Sequence, residues 1–310
     1  MPKRKQHTRV AIIGPGRIGQ AMGRLLARSG VPIAFIAARN PAAARRAVRF
    51  IGAGAPVGLA DPRLQSASVL LITTSDSAVV EVARELAQRG KGTEARQGKV
   101  VLHTCGSLPA AALLPLKLRG AAIGSLHPYQ TVPSPQAGVR NLRGCFWALE
   151  GDRRALRVAR EWVRRLDGVS FSIRPQEKTL YHLSAFIVCP TVVTLMAQAT
   201  RLLKQAGVPL RISRPMLRQF VTETANNFAD LGARKALTGP AVRGDWETIR
   251  RHLTALRSSA PEFEPVYQSL LQAMLTLAGA GSTGRRSRKS KSKVKGQYAK
   301  SKSEPREAVS

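Results

Sequence analysis

The sequence predicts an α/β fold with a doubly wound parallel sheet, followed by an all-α region. Up to residue 173, short apolar runs with the composition of buried strands alternate with amphipathic helical segments. A glycine-rich turn joins the first apolar run, residues 10–13, to the first helix. After residue 174 the strand-like runs stop, and the remaining patterns up to residue 278 are helical.

Seven apolar runs predict strands, and the loops after them mark a ligand site. The runs are residues 10–13, 31–38, 68–74, 99–103, 121–126, 145–150 and 169–173. In an open parallel sheet, ligands bind outside the carboxyl ends of the strands. We therefore expect Thr74, Asp76 and Gly106 to face a ligand, although Asp76 could instead cap its helix.

The first turn has the pattern Gly-x-Gly-x-x-Gly at Gly14, Gly16 and Gly19. Gly14 would allow the tight turn, Gly16 would let the backbone approach a pyrophosphate, and Gly19 would let the helix pack closely on the strand. The helix begins near Arg17 and Ile18, where free N–H groups can bind phosphate. A dinucleotide-binding site is therefore predicted here.

The end of the second predicted strand indicates which dinucleotide binds. An NAD site usually has an acidic residue about 20 residues beyond the glycines, whereas an Arg accommodates the 2′-phosphate of NADP. This chain has Arg39 and Asn40 there and no acidic residue before Asp61. The guanidinium group binds phosphate in a bidentate fork, so NADP(H) is the predicted cofactor.

Chain length and cysteine usage indicate the number of domains and the cellular compartment. A chain of 310 residues predicts two domains, placed at residues 8–174 and 175–280, with a disordered basic tail over residues 281–310. The three cysteines are widely spaced and form no Cys-x-x-Cys pattern, which is typical of a reducing compartment. No signal-peptide pattern precedes the first strand, so a cytoplasmic location is expected, and no metal-ligand spacing is present.

The formal net charge of +32 is unusual. The segment from Ser282 onward has ten Lys or Arg against two Glu and could bind polyanions weakly. The rest of the charge lies on helices, where arginines such as Arg153, Arg157 and Arg160 are interpreted as a solvated surface. No helix-turn-helix, RNA-recognition or zinc-finger pattern accompanies them.

Residues 179–200 carry no charge, which raises the question of a membrane span. Polar residues interrupt the stretch and aromatic belts are lacking, so a membrane span is not expected. We instead predict a long central helix that is buried on all sides in an all-α domain and kinked at Pro190.

Several motifs together resemble a bacterial family in which a Rossmann-like NAD(P)-binding domain is joined to a helical C-terminal domain of unknown function. They are the glycine turn, Ser125-Leu126-His127-Pro128, Lys178 with Tyr181-His182, and the loop from Leu237 to Asp245. More distantly the chain is similar to ketopantoate reductase, pyrroline-5-carboxylate reductase and 6-phosphogluconate dehydrogenase. The resemblance implies a 6-phosphogluconate dehydrogenase C-terminal-like helical domain that supplies the substrate site and a homodimer interface.

The resemblance also implies a catalytic pair. Ketopantoate reductase and 6-phosphogluconate dehydrogenase have a catalytic Lys followed four residues later by Asn, and this chain has Lys178 and His182 at that spacing. Side chains four residues apart lie together on a helix. Lys178 could polarise a carbonyl or imine, and His182 could relay a proton. Alternatively, Lys178 extends to solvent and His182 is a core residue.

The other candidates would contact a small-molecule substrate. His127 and Tyr129 follow a strand and are either substrate contacts or part of a structural turn. Asn226 could reach the cleft or cap its helix, and Arg243 and Asp245 could bind a carboxylate or brace their loop.

Three functions are compatible with these residues. The first is an NADP-dependent oxidoreductase that reduces a small carbonyl or imine substrate. The second is a non-catalytic NADP-binding sensor or scaffold, favoured by Pro190, where the family pattern has Asn, and by His182 in place of Asn. The third is a protein that associates with nucleic acid through its basic tail.

Overall fold

The computed structural model describes residues 9–89 and 97–279. These residues form two compact units that divide between Val192 and Val193, within one long helix. The predicted domain boundary at residues 174–175 precedes that helix. The predicted basic tail, residues 281–310, lies outside the described residues.

The first unit is built on an eight-stranded sheet with the strand order β3-β2-β1-β4-β5-β6-β7-β8. Neighbouring strands are parallel except for β6 and β7, which are antiparallel. The strands are β1 (Val10–Ile13), β2 (Ile33–Ala37), β3 (Ala55–Val57), β4 (Val69–Ile72), β5 (Val100–His103), β6 (Ala122–Pro128), β7 (Phe146–Gly151) and β8 (Val169–Ser172). This arrangement confirms the predicted α/β fold class.

Helices cover both faces of the sheet because alternate strand residues point to opposite sides. Val10 and Ile12 of β1 belong to one apolar core with helices α1, α2 and α6, whereas Ala11 and Ile13 belong to a second core with α3 and α4. The helices of this part are α1 (Arg17–Arg28), α2 (Pro41–Ile51), α3 (Val79–Gln88), α4 (Leu114–Lys117), α5 (Pro135–Asn141) and α6 (Arg153–Arg165). Gly138 of α5 packs so closely on α1 that a Cβ atom there would lie 2.6 Å from Ala21 Cβ.

Two details of the sheet differ from the prediction. The sequence predicts that the fifth strand ends at residue 126, but His127 and Pro128 also lie in β6, because the strand continues its antiparallel pairing with Ala148 and Trp147 of β7. Strand β3 was not predicted. It has three residues and contains a proline, which is tolerated because β3 is an edge strand.

The second unit is helical and has a small core. Its elements are the C-terminal part of α7 (Lys178–Gln205), α8 (Leu210–Ala236), α9 (Pro240–Arg243), α10 (Trp246–Ser259) and α11 (Glu264–Leu277). Helix α8 is interrupted at Gly232, whose φ of 73° and ψ of 167° are not helical. A buried cluster is formed by Ala241, Ile249 and Leu271.

Helix α7 is not the buried central helix that the sequence predicts. Lys178 is the one residue of this helix that is buried, and apolar side chains such as Leu180, Phe186 and Val193 are exposed by about 60%. By length and composition, the segment Pro175–Gln205 is also long and apolar enough to cross a membrane. Burial of α7 on all sides is therefore wrong for the single chain, because the contacts of α7 with the sheet come from its first two turns, Lys178 to Ser184.

Candidate functional site

The candidate site lies just beyond one row of residues that crosses five strands. Strand register places Ile13 beside Ile72, Ile72 beside His103, His103 beside Ser125, and Ser125 beside Glu150. The glycine turn, the β4 loop, the β5 loop and His127 follow directly after the first four of these positions. The topology therefore brings most of the predicted site residues of the first unit to one edge of the sheet.

Two glycines of the turn are required by contacts with the end of β4. Gly14 has a φ of +73°, and a Cβ atom there would lie 2.3 Å from Thr74 Cγ2. A Cβ atom at Gly19 would lie 2.1 Å from Thr73 Oγ1, which donates a hydrogen bond to the Gly14 carbonyl at 2.8 Å. The close packing of helix on strand that the sequence predicts for Gly19 is present.

Gly16 is different, because no contact within the described chain requires a glycine there. Its φ is −72°, and the nearest atom to a Cβ would be the Thr73 carbonyl oxygen at 3.7 Å. Gly16 precedes Arg17, the first residue of α1, and no side chain caps this helix. The missing side chain thus leaves open space at a helix N-terminus, the kind of place that binds phosphate groups.

An unsatisfied polar atom lies beside the same turn. Thr74 Oγ1 is buried and has no hydrogen-bond partner among the described residues. Buried hydroxyl groups without a partner are uncommon and need an explanation. A ligand with oxygen or nitrogen atoms bound over Gly14 and Gly16 could supply the partner, so these residues fit a dinucleotide.

Arg39 and Asn40 follow β2 but have different roles in the structure. Arg39 is exposed and has no hydrogen-bond or ion-pair partner among the described residues, so its guanidinium is available to a ligand. The Asn40 side chain accepts hydrogen bonds from the Ala42 and Ala43 N–H groups and caps α2. This cap explains Asn40 without a ligand.

Asp76 connects the loops after β4 and β5. Its carboxylate accepts a hydrogen bond of 2.9 Å from the Ser107 hydroxyl, and no side chain caps the short turn that begins at Asp76. The alternative that Asp76 caps its own helix is therefore not what the geometry shows. The bond holds Gly106, next to Ser107, in position between the two loops.

Lys178, at the start of α7, reaches into this edge of the sheet. It is 1% exposed, and its Nζ donates hydrogen bonds to the Cys105 carbonyl at 3.0 Å and to Ser125 Oγ at 2.6 Å. Burial lowers the pKa of Lys178, while the negative charge of Glu150 acts in the opposite direction. Lys178 therefore does not extend to solvent. Its amine lies beneath the candidate site, and its two hydrogen-bond acceptors, the Cys105 carbonyl and Ser125 Oγ, belong to the chain itself.

Two histidines meet over Gly106. A Cβ atom at Gly106 would lie 2.6 Å from both His127 Nε2 and His182 Cδ2, so only glycine fits between the rings. His127 Nδ1 forms a 2.8 Å hydrogen bond with the Tyr181 hydroxyl. Burial and then the Lys178 charge lower the pKa of His127 to about 3, which keeps its ring neutral near pH 7.

Tyr129 extends the site outwards. Its hydroxyl group is 3.1 Å from Ser184 Oγ, and its ring centroid is 5.5 Å from that of Tyr181. Tyr129 is 37% exposed, and its role as a substrate contact stays a prediction. The structure brings Gly106, His127 and His182 together with Lys178 and Tyr129.

Four residues of this site were not among the predicted ones: His103, Ser125, Glu150 and Tyr181. His103 is fully buried; its Nδ1 accepts the Cys105 N–H, and its Nε2 donates to the Pro109 carbonyl. Glu150 accepts the Ala110 N–H, and burial raises the pKa of its carboxyl group. Polar residues inside otherwise apolar strands are the signal that could have identified the first three.

Three predicted residues belong to the second unit. Asn226 is exposed on α8, and Arg243 is exposed at the end of α9. Asp245 caps α10 by accepting a 3.1 Å hydrogen bond from the Thr248 N–H, and this bond lowers the pKa of its carboxyl group. No ion pair between Arg243 and Asp245 is present in the described part of the chain, so the loop is held by the helix cap rather than by that pair.

Family models match two parts of the sequence. One describes a Rossmann-like domain and matches residues 2–128, and the other describes a domain of unknown function, DUF2520, and matches residues 145–274. The chain joins a Rossmann-like domain to a DUF2520 domain. This combination confirms the resemblance found in the sequence. No curated protein sequence matches the chain.

Solved structures share the fold of this Rossmann–DUF2520 chain. A candidate NADP oxidoreductase from Bacteroides fragilis is 23% identical, with a TM-score of 0.71, covering 86% of this chain and 97% of that one. An imine reductase from Myxococcus stipitatus in complex with NADP+ is 14% identical, with a TM-score of 0.66 and coverages of 88% and 94%. A Plasmodium falciparum pyrroline carboxylate reductase with NADP bound is 10% identical, with a TM-score of 0.57 and coverages of 89% and 99%.

Proposed function

We propose that the chain is an NADP-dependent oxidoreductase that reduces a small carbonyl or imine substrate. The observation that carries the proposal is the position of Lys178: a buried amine lies at the same sheet edge as the glycine turn, beside His127 and His182. In this proposal, the cofactor site and a polar reaction site would adjoin each other. The fold shared with NADP-bound reductases supports the same function.

The cofactor-binding part of the proposal uses the turn and the exposed arginine. The N–H groups at Arg17, Ile18 and Gly19 would bind the pyrophosphate over the open space at Gly16, with Thr74 Oγ1 as a further polar contact. Arg39 would bind the 2′-phosphate, because its guanidinium has no partner within residues 9–89 and 97–279. Bound NADPH would supply the hydride.

The remaining residues would bind the substrate and handle the proton. Lys178 would hold positive charge behind the substrate oxygen or nitrogen, acting through Ser125, because its Nζ is already bonded to the Ser125 hydroxyl. His182, one helical turn from Lys178 and partly exposed, is the group that could pass a proton at the open side. His127, neutral and bonded to Tyr181, would orient the substrate with Tyr129.

A direct test uses the purified full-length chain. NADPH and NADH are titrated against it, and nicotinamide oxidation is then followed with a panel of 2-keto acids, aldehydes and cyclic imines. We expect tighter binding of NADPH and turnover of at least one compound class. Failure to bind either nucleotide would refute the proposal.

The complete burial of Lys178 favours a second candidate. An amine that donates to Cys105 and Ser125 at 1% exposure has a structural role even without a substrate. A non-catalytic NADP-binding sensor or scaffold would need only that role. NADPH binding without turnover of any compound in the panel would support this function instead.

We also propose that the chain is a homodimer through its helical region. Helix α8 has one buried residue, Ser213, and α7 has one, Lys178, although both helices are rich in apolar side chains. A groove of about 700 Å³ between α7 and α8 is lined mainly by apolar residues, including Leu203, Met216 and Phe220. A second copy would cover this surface. Light scattering of the purified chain should give twice the mass of one chain. If the chain can be recovered only with detergent, the dimer proposal is refuted.

A further inference from the structure

The helices on the two faces of the sheet differ sharply in charge. Helices α1, α2, α5 and α6, on one face, contain 13 arginines, no lysine and a single acidic residue, Glu161. Helices α3 and α4, on the other face, contain two basic and two acidic residues. Among these helices, the positive charge is therefore concentrated on one face of the sheet.

Most of these arginines make no side-chain bond to the part of the protein that the structure describes. Arg24, Arg154, Arg164 and Arg165 bond to carbonyl oxygens or to Glu161. Eight others are exposed and have no hydrogen-bond or ion-pair partner among the described residues, and we call them the basic face: Arg28, Arg45, Arg46, Arg49, Arg140, Arg153, Arg157 and Arg160. Arg17 is left out because it belongs to the proposed cofactor site.

Side-chain bonds show that three of the helices that carry the basic face adjoin one another. Arg24 of α1 donates to the Phe50 carbonyl at the end of α2 and also stacks on the Phe50 ring, which places Arg49 beside α1. Arg165 of α6 donates to the Ser29 carbonyl, directly after Arg28. The ends of α2, α1 and α6 therefore border one another.

We propose that the basic face binds the phosphate backbone of double-stranded nucleic acid. This activity is independent of the proposed reductase function, and it is located on the folded sheet unit rather than on the basic tail. Guanidinium groups bind phosphate oxygens in a bidentate fork, and a row of them releases counterions from a duplex. Arg153, Arg157 and Arg160 lie three and four residues apart on one side of α6, so they form a stripe along the helix.

The composition of the face distinguishes a duplex from other polyanions. Within these four helices, all of whose residues are described, there is no exposed large apolar side chain. Membrane-surface helices need apolar side chains that insert between lipids. Single-stranded nucleic acid is bound by exposed aromatic rings on which bases stack. Contact with the backbone of a duplex needs neither feature.

The test compares two triple variants of the full-length chain with the unmodified chain. In the first variant, Arg153, Arg157 and Arg160 are changed to Gln. In the matched control, Arg63, Arg84 and Arg89 are changed to Gln. These three arginines lie on the opposite side of the sheet from the basic face, so the control removes the same charge from that side. Binding of a fluorescent duplex DNA of about 20 base pairs is measured from 50 to 200 mM salt.

We expect the basic-face variant to reduce the slope of log K against log salt by about 3, and to weaken binding at 0.1 M salt on the order of 100-fold. The control variant should change the slope by less than 1. Equal losses in the two variants would overturn the proposal, because binding would then follow net charge or the tail. Tighter binding to phosphatidylglycerol vesicles than to the duplex would also overturn it. Melting temperatures of both variants show whether the fold is retained.

Discussion

The buried histidine His103 makes the free energy of unfolding depend on pH in a way that can be calculated. Burial, and then the positive charge of Lys178, lower the pKa of His103 from 6.5 to about 4. In the unfolded chain the ring takes up a proton below pH 6.5, whereas in the folded chain it stays neutral until about pH 4. The stabilisation is therefore complete above pH 6.5 and is lost as the pH falls towards 4.

The size of the effect follows from the difference in pKa. A single histidine with this shift contributes about 3 kcal/mol to the free energy of unfolding. This contribution is lost at about 1.4 kcal/mol per pH unit as the pH falls below 6.5. His127 has a similar shift, to about 3, and adds a comparable slope. We therefore expect the unmodified chain to become steadily less stable between pH 6.5 and pH 5.

The change His103→Gln isolates one histidine. A glutamine can accept the Cys105 N–H and donate to the Pro109 carbonyl, as the histidine ring does, but it does not titrate. Urea unfolding at pH 7, 6 and 5 should show a slope that is lower than that of the unmodified chain by about 1.4 kcal/mol per pH unit. Equal slopes for His103→Gln and the unmodified chain would refute the calculation.

Three further predictions concern the cofactor and the proposed catalytic residues. Gly14→Ala should lower the melting temperature, because the φ of Gly14 is +73° and the new methyl group would meet Thr74. Gly16→Ala should keep the melting temperature but weaken NADPH binding at least tenfold in a fluorescence titration. Arg39→Asp should reverse the preference for NADPH over NADH; equal affinities for the two cofactors in the unmodified chain would contradict this. Lys178→Met should raise the pKa of His127 in an NMR titration and lower turnover about 100-fold, with a smaller loss for His182→Ala; an unchanged His127 titration would show that the Lys178 charge does not act on it.

Much of the fold could be predicted from local patterns. The run at residues 10–13 reads as a buried strand because it is apolar throughout and ends at a glycine, and all four residues are buried. The polar side chain of His127 led to the wrong prediction that the strand ends at residue 126. In the structure His127 belongs to β6, where it pairs with Ala148 of β7. The residues within a strand do not determine which neighbouring strand it pairs with. The antiparallel pairing of β7 with β6 could therefore not be predicted from its sequence.

The candidate site was predicted only in part, for a related reason. Spacing along α7 correctly puts Lys178 and His182 on the same helix, but it says nothing about what each side chain meets. The sheet register decides that: Lys178 bonds to Ser125, and His182 packs over Gly106. Glu150 and Tyr181 join the site through contacts between residues far apart in sequence, which a local pattern cannot show.

The contact at Gly106 ties three distant positions of the sequence to one another. Since a Cβ atom at position 106 would lie 2.6 Å from both imidazole rings, a larger residue there could be accommodated only if at least one of the two rings moved or was replaced by a smaller side chain. Among relatives of this chain, a larger residue at position 106 is thus expected to occur together with a change at position 127 or 182. A homologue with alanine at the position of Gly106 should lack at least one of the two histidines, and the candidate site would then have a different shape.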